Sequence, residues 1–418
     1  MANNLITPAV IAKEAMRQLE NELTFTKLVN RQYKHEFDKR VGDTISIRRP
    51  VKFETNTGFD ITSQIQDVEE GVDNLKLQYE RNVSWAFSSR DLTLTVDEYS
   101  DRYIRPAMIT MAQSVDQLGM LLYRDIPNEV GTRNTPPSNF AAMAAAAQRL
   151  EELSIKGDIN AIVDSAARWA MGSSNSALYM QDVARDAFRK GDLGEIASAR
   201  VFSSQNVLKH TPGAATGTPL INGVSQNVTY AAAGVTLTDG RVFKSAQSLV
   251  TDGWTNSTTG ILKAGDVFTI AGVFAVNQVP GDAVLNKSVL SFLQQFTVLE
   301  DANSGATTGP ATLKIAPAII IDGPQQTVSA APADNAAITV RNSAGMMNLM
   351  FSPEAFTLVT VPLALPDSAT WKQRVTHNGL SMTIMKGMDI LTRREIVRVD
   401  MLFGWRTTNP MAAVRLAG

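Results

Sequence analysis

The chain contains no cysteine, which removes disulfide staples, thiolate zinc sites, iron–sulfur clusters and cysteine nucleophiles in one step. Stability must come from packing and assembly. Histidine is scarce too: His35, His210 and His377 fall in three separate segments, so a histidine metal site would need all of them to converge. No stretch approaches the roughly 20 apolar residues of a membrane span. The opening Met1 to Pro8 carries neither a basic segment nor an apolar signal core. The sequence therefore reads as that of a soluble, intracellular protein with no membrane partner. An excess of either charge is also missing, since 39 Lys+Arg face 41 Asp+Glu for a net charge of -2. A protein whose main task is gripping nucleic acid needs a basic footprint, so contact with DNA is expected to be weak and non-specific.

Recognisable chemistry is equally sparse. There is no GxxxxGK[ST] phosphate loop, no GxGxxG after a strand, no HExxH and no GxSxG. Acids are plentiful but scattered, and spacing selects no catalytic pair. No catalytic, cofactor-binding or metal residue is assigned, no cofactor is expected, and the chain reads as a non-enzyme. Asn82-Val-Ser84, Asn227-Val-Thr229 and Asn256-Ser-Thr258 are glycosylation-type triplets without meaning in an intracellular setting.

What is present is 418 residues, 44% of them hydrophobic, enough for about two or three domains with ample core. Val10, Ile11, Ala15, Leu19, Leu23 and Leu28 recur at 3 and 4 spacings and predict an amphipathic helix opening after Pro8. Val41–Pro50 and Asn74–Phe87 alternate as strands across about 25 polar residues, which predicts a long hairpin with a loose tip. A periodic stretch from Val96 to Arg124 predicts the longest helix, which Pro106 should kink or break. Ser138 or Asn139 is placed to cap an alanine-rich helix reaching about Ser154.

Residues 158 to 208 predict a compact α+β domain, with Ile159–Val163 as a buried strand and helices at Ser165–Met171 and Gln181–Lys190. From about Gly213 to Asn335, Gly, Thr, Ser, Asn and Val dominate. Short apolar runs there alternate with turns at Asp239-Gly240, Gly265-Asp266 and Gly281-Asp282, which predicts a small inserted β-barrel or sandwich. Ser352–Phe356 resembles a cap and first helical turn, and Leu380–Met385 and Ile396–Phe403 alternate as half-buried strands. Met346, Met347, Met350, Met382, Met385, Met388, Met401 and Met411 are read as filling of a core or subunit contact rather than an adaptive ligand surface.

Charge is unevenly placed in the hairpin region. Residues 27 to 52 hold eight bases, Arg48 and Arg49 among them, against three acids. Residues 60 to 73 hold Asp60, Asp67, Glu69, Glu70 and Asp73 with no base. Two readings stand: two solvated surface segments, or an acidic tip that reaches a basic patch on a neighbouring copy.

The order and spacing of several stretches resemble the major coat proteins of short-tailed bacteriophages of the Salmonella podophage type, which have the Hong Kong 97-type capsid fold. The stretches are Met1–Pro8 with Ala15–Leu23, Val41–Pro50, Gly194–Val207 with His210-Thr-Pro-Gly213, Leu262–Gln278 and Phe403–Leu416. The resemblance implies an α+β fold with an N-terminal arm (1–40), an extended-loop hairpin (41–90) and a peripheral domain with a spine helix (91–130). An axial domain (131–220 and 339–378) would be interrupted by an inserted β-domain (221–338), with peripheral strands at 379–418. It further implies pentamers and hexamers forming an icosahedral shell around double-stranded DNA, a separate scaffolding protein, a portal protein, and assembly in the host cytoplasm. The arm is expected to open the chain directly, without a long helical prefix that could serve as a fused scaffold. The family's charged insertion loop corresponds here to Asp239, Arg241 and Lys244, which joins Arg48, Arg49, Asp67, Glu69, Glu70 and Asp73 as expected subunit-contact residues. The alternatives are an encapsulin-like compartment and a tail-associated polysaccharide-degrading enzyme.

Overall fold

The computed structural model describes residues 8–33, 43–49, 51–55, 59, 62, 65, 68, 70–88, 103–175, 194–277, 287–365, 371–389 and 394–417. The expected helix Gln181–Lys190, the acids Asp60, Asp67 and Glu69, and the Gly281-Asp282 turn lie outside them. The described residues form a mixed α/β protein that divides into two compact units.

The first unit gathers Met1–Ile45, Leu75–Met120 and Phe356–Arg406. Its helix α1 (Pro8–Glu22) buries Ala12, Ala15, Met16 and Leu19, the 3 and 4 spacing expected from sequence. The stripe packs on α2 (Arg105–Met120), which buries Met108, Met111, Ala112 and Val115. Residues 96–102, the first part of the expected 96–124 helix, are outside the described set. Its C-terminal end tightens into a 3₁₀ helix, Leu121–Asp125. Pro106 sits in the first turn of α2, directly after a wider π-type turn at Tyr103 and Ile104. That change of winding accommodates a ring that would clash in a regular helix interior.

Between α1 and the hairpin, a 3₁₀ turn at Phe25–Leu28 is held by one side chain. Buried Asp116 of α2 accepts from the backbone N–H groups of Thr24 (2.7 Å), Phe25 (3.1 Å) and Thr26 (3.1 Å), and from the Thr26 hydroxyl (2.6 Å). Burial pushes the Asp116 pKa up, against the pull of those four hydrogen bonds. Beside it Phe25 meets Phe356 and Trp405 at ring distances of 5.4 and 5.3 Å. A Cβ on Gly119 would come within 2.6 Å of the Phe25 and Trp405 rings, so only glycine fits there.

A sheet covers these helices in the order Phe356–Val361, Arg394–Thr407, Leu380–Asp389, Trp371–His377, and Tyr79–Ser88 pairs with Arg394–Thr407. The Asn378-Gly379 turn joins its outer hairpin with φ of 47° and 77°, left-handed at both positions. The expected single strand Asn74–Phe87 is in fact two. Val72–Lys76 pairs with Thr44–Arg48 as the predicted hairpin, and Tyr79–Ser88 leaves it for the C-terminal strand, Ser84 opposite Arg398. The chain can change partners at Leu77-Gln78 because alternation on one strand is compatible with either neighbour.

The second unit comprises Ser46–Asn74, Leu121–Ala355 and Thr407–Gly418. Its first sheet runs Glu129–Val130, Ala413–Leu416, Asn348–Phe351, Ile159–Val163, Ala199–Ser203, Glu195–Ile196. Residues 158 to 208 thus do not close a core alone: their sheet is completed by strands from positions 348 and 413. The alanine-rich helix α3 (Phe140–Glu152) is capped by Asn139, whose side chain accepts from Ala142 N–H at 2.9 Å, and packs on Ala413–Leu416. Helix α4 (Ser165–Asn175) follows the buried Ile159–Val163 strand. Ser352–Phe356 holds only a 3₁₀ turn, Pro353–Ala355, that leads straight into a strand.

The chain leaves this sheet at Lys209–His210 and returns at Gly345–Met346, two short strands paired with each other. Between them a six-stranded sheet runs Ile338–Val340, Val267–Val276, Val289–Val298, Ala311–Ala316, Gln247–Trp254, Gly217–Ile221. Its two edges meet through Ile221 N–H to Ala336 O (3.0 Å), Asn335 N–H to Ile221 O (2.9 Å) and a Leu220–Ala337 bridge. The enclosed core is apolar, with Phe268 and Phe296 stacked at 5.7 Å among Leu249, Leu313 and Ile315. Of the C-terminal methionines, Met347, Met350, Met382 and Met401 are buried filling, and Met346 and Met388 face solvent.

Replacing Asp116 by alanine strands three backbone donors, two of them buried, each costing about 1 kcal/mol or more when left unmade. The expected loss is about 3 kcal/mol in chemical denaturation of the unassembled chain; a loss under a few tenths would mean that the 3₁₀ turn holds without its cap.

Candidate subunit-contact site

Two sequence regions expected to make contacts separately are brought together in the second unit. At the base of the hairpin Arg48 pairs with Glu70 at 2.9 Å; both side chains are largely exposed, so the pair adds little stability. Arg49 pairs with Asp73, which is buried, and reaches the Thr408 carbonyl at 3.4 Å. The other oxygen of Asp73 accepts from Lys244 N–H at 2.9 Å. Asn74 bonds both Gly240 O (3.0 Å) and Val242 N–H (2.7 Å), so the hairpin grips the 239–244 turn by backbone and side chain.

The turn's own charges are also engaged. Arg241 donates to Asp239 (2.6 Å), reaches Asp125 (3.3 Å) and lies over Phe243. Lys244 Nζ donates to the carbonyls of Ala231 (2.8 Å) and Ala233 (2.9 Å). Asp239, Arg241 and Lys244 are therefore tied within one copy. Close approach at this point requires Gly71, whose Cβ would fall 2.1 Å from the Tyr230 hydroxyl.

Beyond this base the hairpin segment exposes apolar side chains: Phe53, Phe59, Ile65 and Val68 are all more than half exposed, Phe59 completely. The sequence reading weighed only charge here; the signal for these residues was apolar spacing within a polar stretch.

A second cluster lies at the start of the sheet. Glu129, fully buried, holds Arg133 with two bonds of 2.6 and 2.7 Å, Arg341 at 3.3 Å and Arg415 at 3.9 Å. Burial opposes the Glu129 charge, and the three guanidinium groups outweigh it and hold its pKa below the usual carboxylate value. Burial lowers the pKa of Arg415 to about 10. The main chain of Glu129 is bound as well: its N–H donates to Gln295 Oε1 (2.7 Å) and its carbonyl accepts from Gln295 Nε2 (2.8 Å). Sequence could not select Glu129, since its partners come from positions 133, 295, 341 and 415. Among the described residues no group of His, Asp and Glu could hold a metal ion, and no helix is long and apolar enough to cross a membrane.

Comparison with known proteins identifies the class. Residues 1–418 match the family model described as P22 coat protein, gene protein 5. A "Major capsid protein" of Acyrthosiphon pisum secondary endosymbiont phage 1 is 26% identical over 98% of each chain. Among solved structures, one from Mycobacterium phage Che8 aligns over 94% of this chain and 90% of its own with 12% identity and a TM-score of 0.47. The mature capsid of bacteriophage PhiM1 aligns over 90% and 83% with 10% identity and a TM-score of 0.41. The chain is a phage coat protein, a structural protein and not an enzyme. It belongs to the P22 coat protein family.

Two outcomes are expected at these clusters. Glu129→Gln leaves buried guanidinium charge uncompensated and should cost about 3–5 kcal/mol in chemical denaturation. The Glu129 pKa is lowered on folding, so its contribution is present above the unfolded value near 4.5 and lost as pH falls through the folded value. The stability of the wild type should fall more steeply than that of the variant below pH 4.5. Asp73→Asn weakens the grip on Arg49, and limited proteolysis should then cut at 239–244 faster than in the wild type; an unchanged rate would show that Asn74 alone holds the turn.

Proposed function

We propose that this coat protein assembles as pentamers and hexamers into an icosahedral shell enclosing the double-stranded phage genome. The observation that carries the reading is the hairpin segment. Phe53, Phe59, Ile65 and Val68 project into solvent from a chain with ample core elsewhere, and side chains of this size are exposed together where another surface covers them. A second copy of the same protein is the partner, because closed symmetric assembly buries such an element once per subunit.

The finer architecture belongs to the same proposal. A Hong Kong 97-type organisation is supported by a first unit containing α1, α2 and the Arg394–Thr407 strand, which corresponds to arm, spine and peripheral sheet. An axial domain is supported by the sheet that joins Ile159–Val163 to Asn348–Phe351, with the last strand, Ala413–Leu416, counted in it. An inserted β-barrel between the paired Lys209–His210 and Gly345–Met346 strands is supported by the edge-to-edge bonds of the six-stranded sheet. We assign the acids Asp67 and Glu69, with Glu70 beside its own Arg48, to contacts across copies, and a separate scaffolding protein and a portal protein as assembly partners in the host cytoplasm. DNA contact is weak and non-specific, as a net charge of -2 implies.

Electron microscopy of sedimented material from cells expressing the chain with and without its scaffolding protein tests this. Uniform icosahedral particles with scaffold, and aberrant or no particles without it, are expected; small soluble oligomers in both cases would sink the proposal. Double charge reversal, Glu69→Lys with Glu70→Lys, should leave the chain folded by circular dichroism and impair assembly, whereas normal shells would remove the acidic contact.

A further inference from the structure

The sheet of the first unit ends in a long strand, Tyr79–Ser88. It pairs with Arg394–Thr407 over ten residues in unbroken antiparallel register, and among the described residues no strand lies on its other side.

Which of its backbone groups face outward follows from the hairpin at the opposite margin of the sheet. The two-residue turn Asn378-Gly379 joins His377 to Leu380, and such a turn closes on a hydrogen-bonded pair. Bonded pairs recur at every second position of an antiparallel ladder, so Val375 with Met382 and Gln373 with Ile384 bond across this hairpin. The intervening Thr383 and Met385 then turn their N–H and C=O groups to Asp400 and Arg398. Val399 and Val397 turn theirs to Val83 and Trp85. Glu80, Asn82, Ser84, Ala86 and Ser88 are left with both backbone groups aimed out of the sheet. The Arg81 guanidinium donates to the Glu80 carbonyl at 3.2 Å, which agrees with that parity.

Natural edge strands are blunted by proline, charge, bulges or short length, because an open row of donors and acceptors is a template for another extended chain. From Asn82 onward this edge has none of those devices: Asn82-Val-Ser-Trp-Ala-Phe-Ser88 holds no charge, proline or glycine, and its register has no bulge. The nearest charge is taken within the sheet, Arg398 by Asp400 at 2.6 Å and by Glu80 at 3.5 Å. The apolar row of the sheet is cut off here as well. Val397 and Val399 are buried, whereas Trp85 and Val83 opposite them on the same face are only half-buried.

We infer that the outer edge of Tyr79–Ser88 is a pairing site for an extended strand of a second copy of this chain, which continues the sheet across the contact through main-chain bonds at Asn82, Ser84 and Ala86. The added strand covers Val83 and Trp85. A second copy is the occupant, on the shell function proposed above, because the chain belongs to a coat-protein family and the neutral row offers no charge that would select a different protein. Every copy in the assembly also carries the same edge, and one left open there would pair at random.

The test is hydrogen–deuterium exchange, resolved to single amides by fragmentation in a mass spectrometer, on the unassembled full chain and on assembled particles. In the unassembled chain Val83 and Trp85 should be protected while Asn82, Ser84 and Ala86 exchange freely; in particles all five should be protected. Ser84→Pro removes an outward N–H and no bond inside the sheet, a position where an edge strand tolerates proline. It should keep the circular dichroism of the wild type and lose particle assembly, and Ala86→Pro serves in the same way if Ser84→Pro fails to fold. Free exchange at Asn82, Ser84 and Ala86 in particles, or normal particles from a folded proline variant, would overturn the edge pairing and leave the shell standing. Protection present only while scaffolding protein is bound would give the edge to that protein and overturn the pairing too. A wild type that forms no particles would overturn the shell function, and the pairing with it.

Discussion

Four segments of the second unit converge on one buried carboxylate. Glu129 takes Arg133 from the following loop, Arg341 from the chain returning out of the excursion and Arg415 from the last strand. Its main chain takes Gln295 from within the excursion. A buried charge is expensive unless paired and fully bonded, so this site is satisfied only when all of those segments arrive together. That requirement makes the carboxylate a check on the whole topology: a misplaced return strand would strand either the acid or an arginine in the interior. In the first unit Asp116 plays a comparable role on a smaller scale, converting three orphan N–H groups after α1 into bonds to α2.

The discontinuous order of the chain follows from this construction. The sheet that carries Glu129 interleaves strands from positions 129, 159, 199, 348 and 413, and the six-stranded excursion is spliced between two of them. A shell subunit gains from such splicing, because an apolar core closed by long-range pairing stays rigid while loops at its surface remain free to meet other copies. The hairpin shows that division. Its base is fixed by Arg49, Asp73 and Asn74, and its far segment, with Phe53 and Phe59, is left exposed.

Local signals were legible where they depended on neighbours in sequence. The stripe of α1, the Asn139 cap of α3, the buried Ile159–Val163 strand and the Gly- and Thr-rich β region all follow from periodicity and capping. The Asn378-Gly379 turn between alternating runs was an equally local signal that went unread. The split of Asn74–Phe87 into two strands was not legible, because alternation says which face is buried but not which strand lies beside it. The charged residues were legible as charged and not as partners. Asp73 and Lys244 lie 171 positions apart, and nothing local relates them.

The sequence by itself determined the class of chemistry. Without cysteine, disulfide staples, thiolate metal sites and cysteine nucleophiles were excluded, and helix and strand periods were set residue by residue. Only the tertiary structure decided which charges are shared within a copy and which apolar side chains stay exposed. The sequence reading expected the bases Arg48 and Arg49, the acids Glu70 and Asp73 and the loop residues Asp239, Arg241 and Lys244 as contacts to other copies, and the fold bonds the hairpin base to the 239–244 turn within one copy. The reason is physical: burial and pairing are properties of distance in space, and for a chain whose sheets interleave remote strands, distance along the sequence carries almost none of that information.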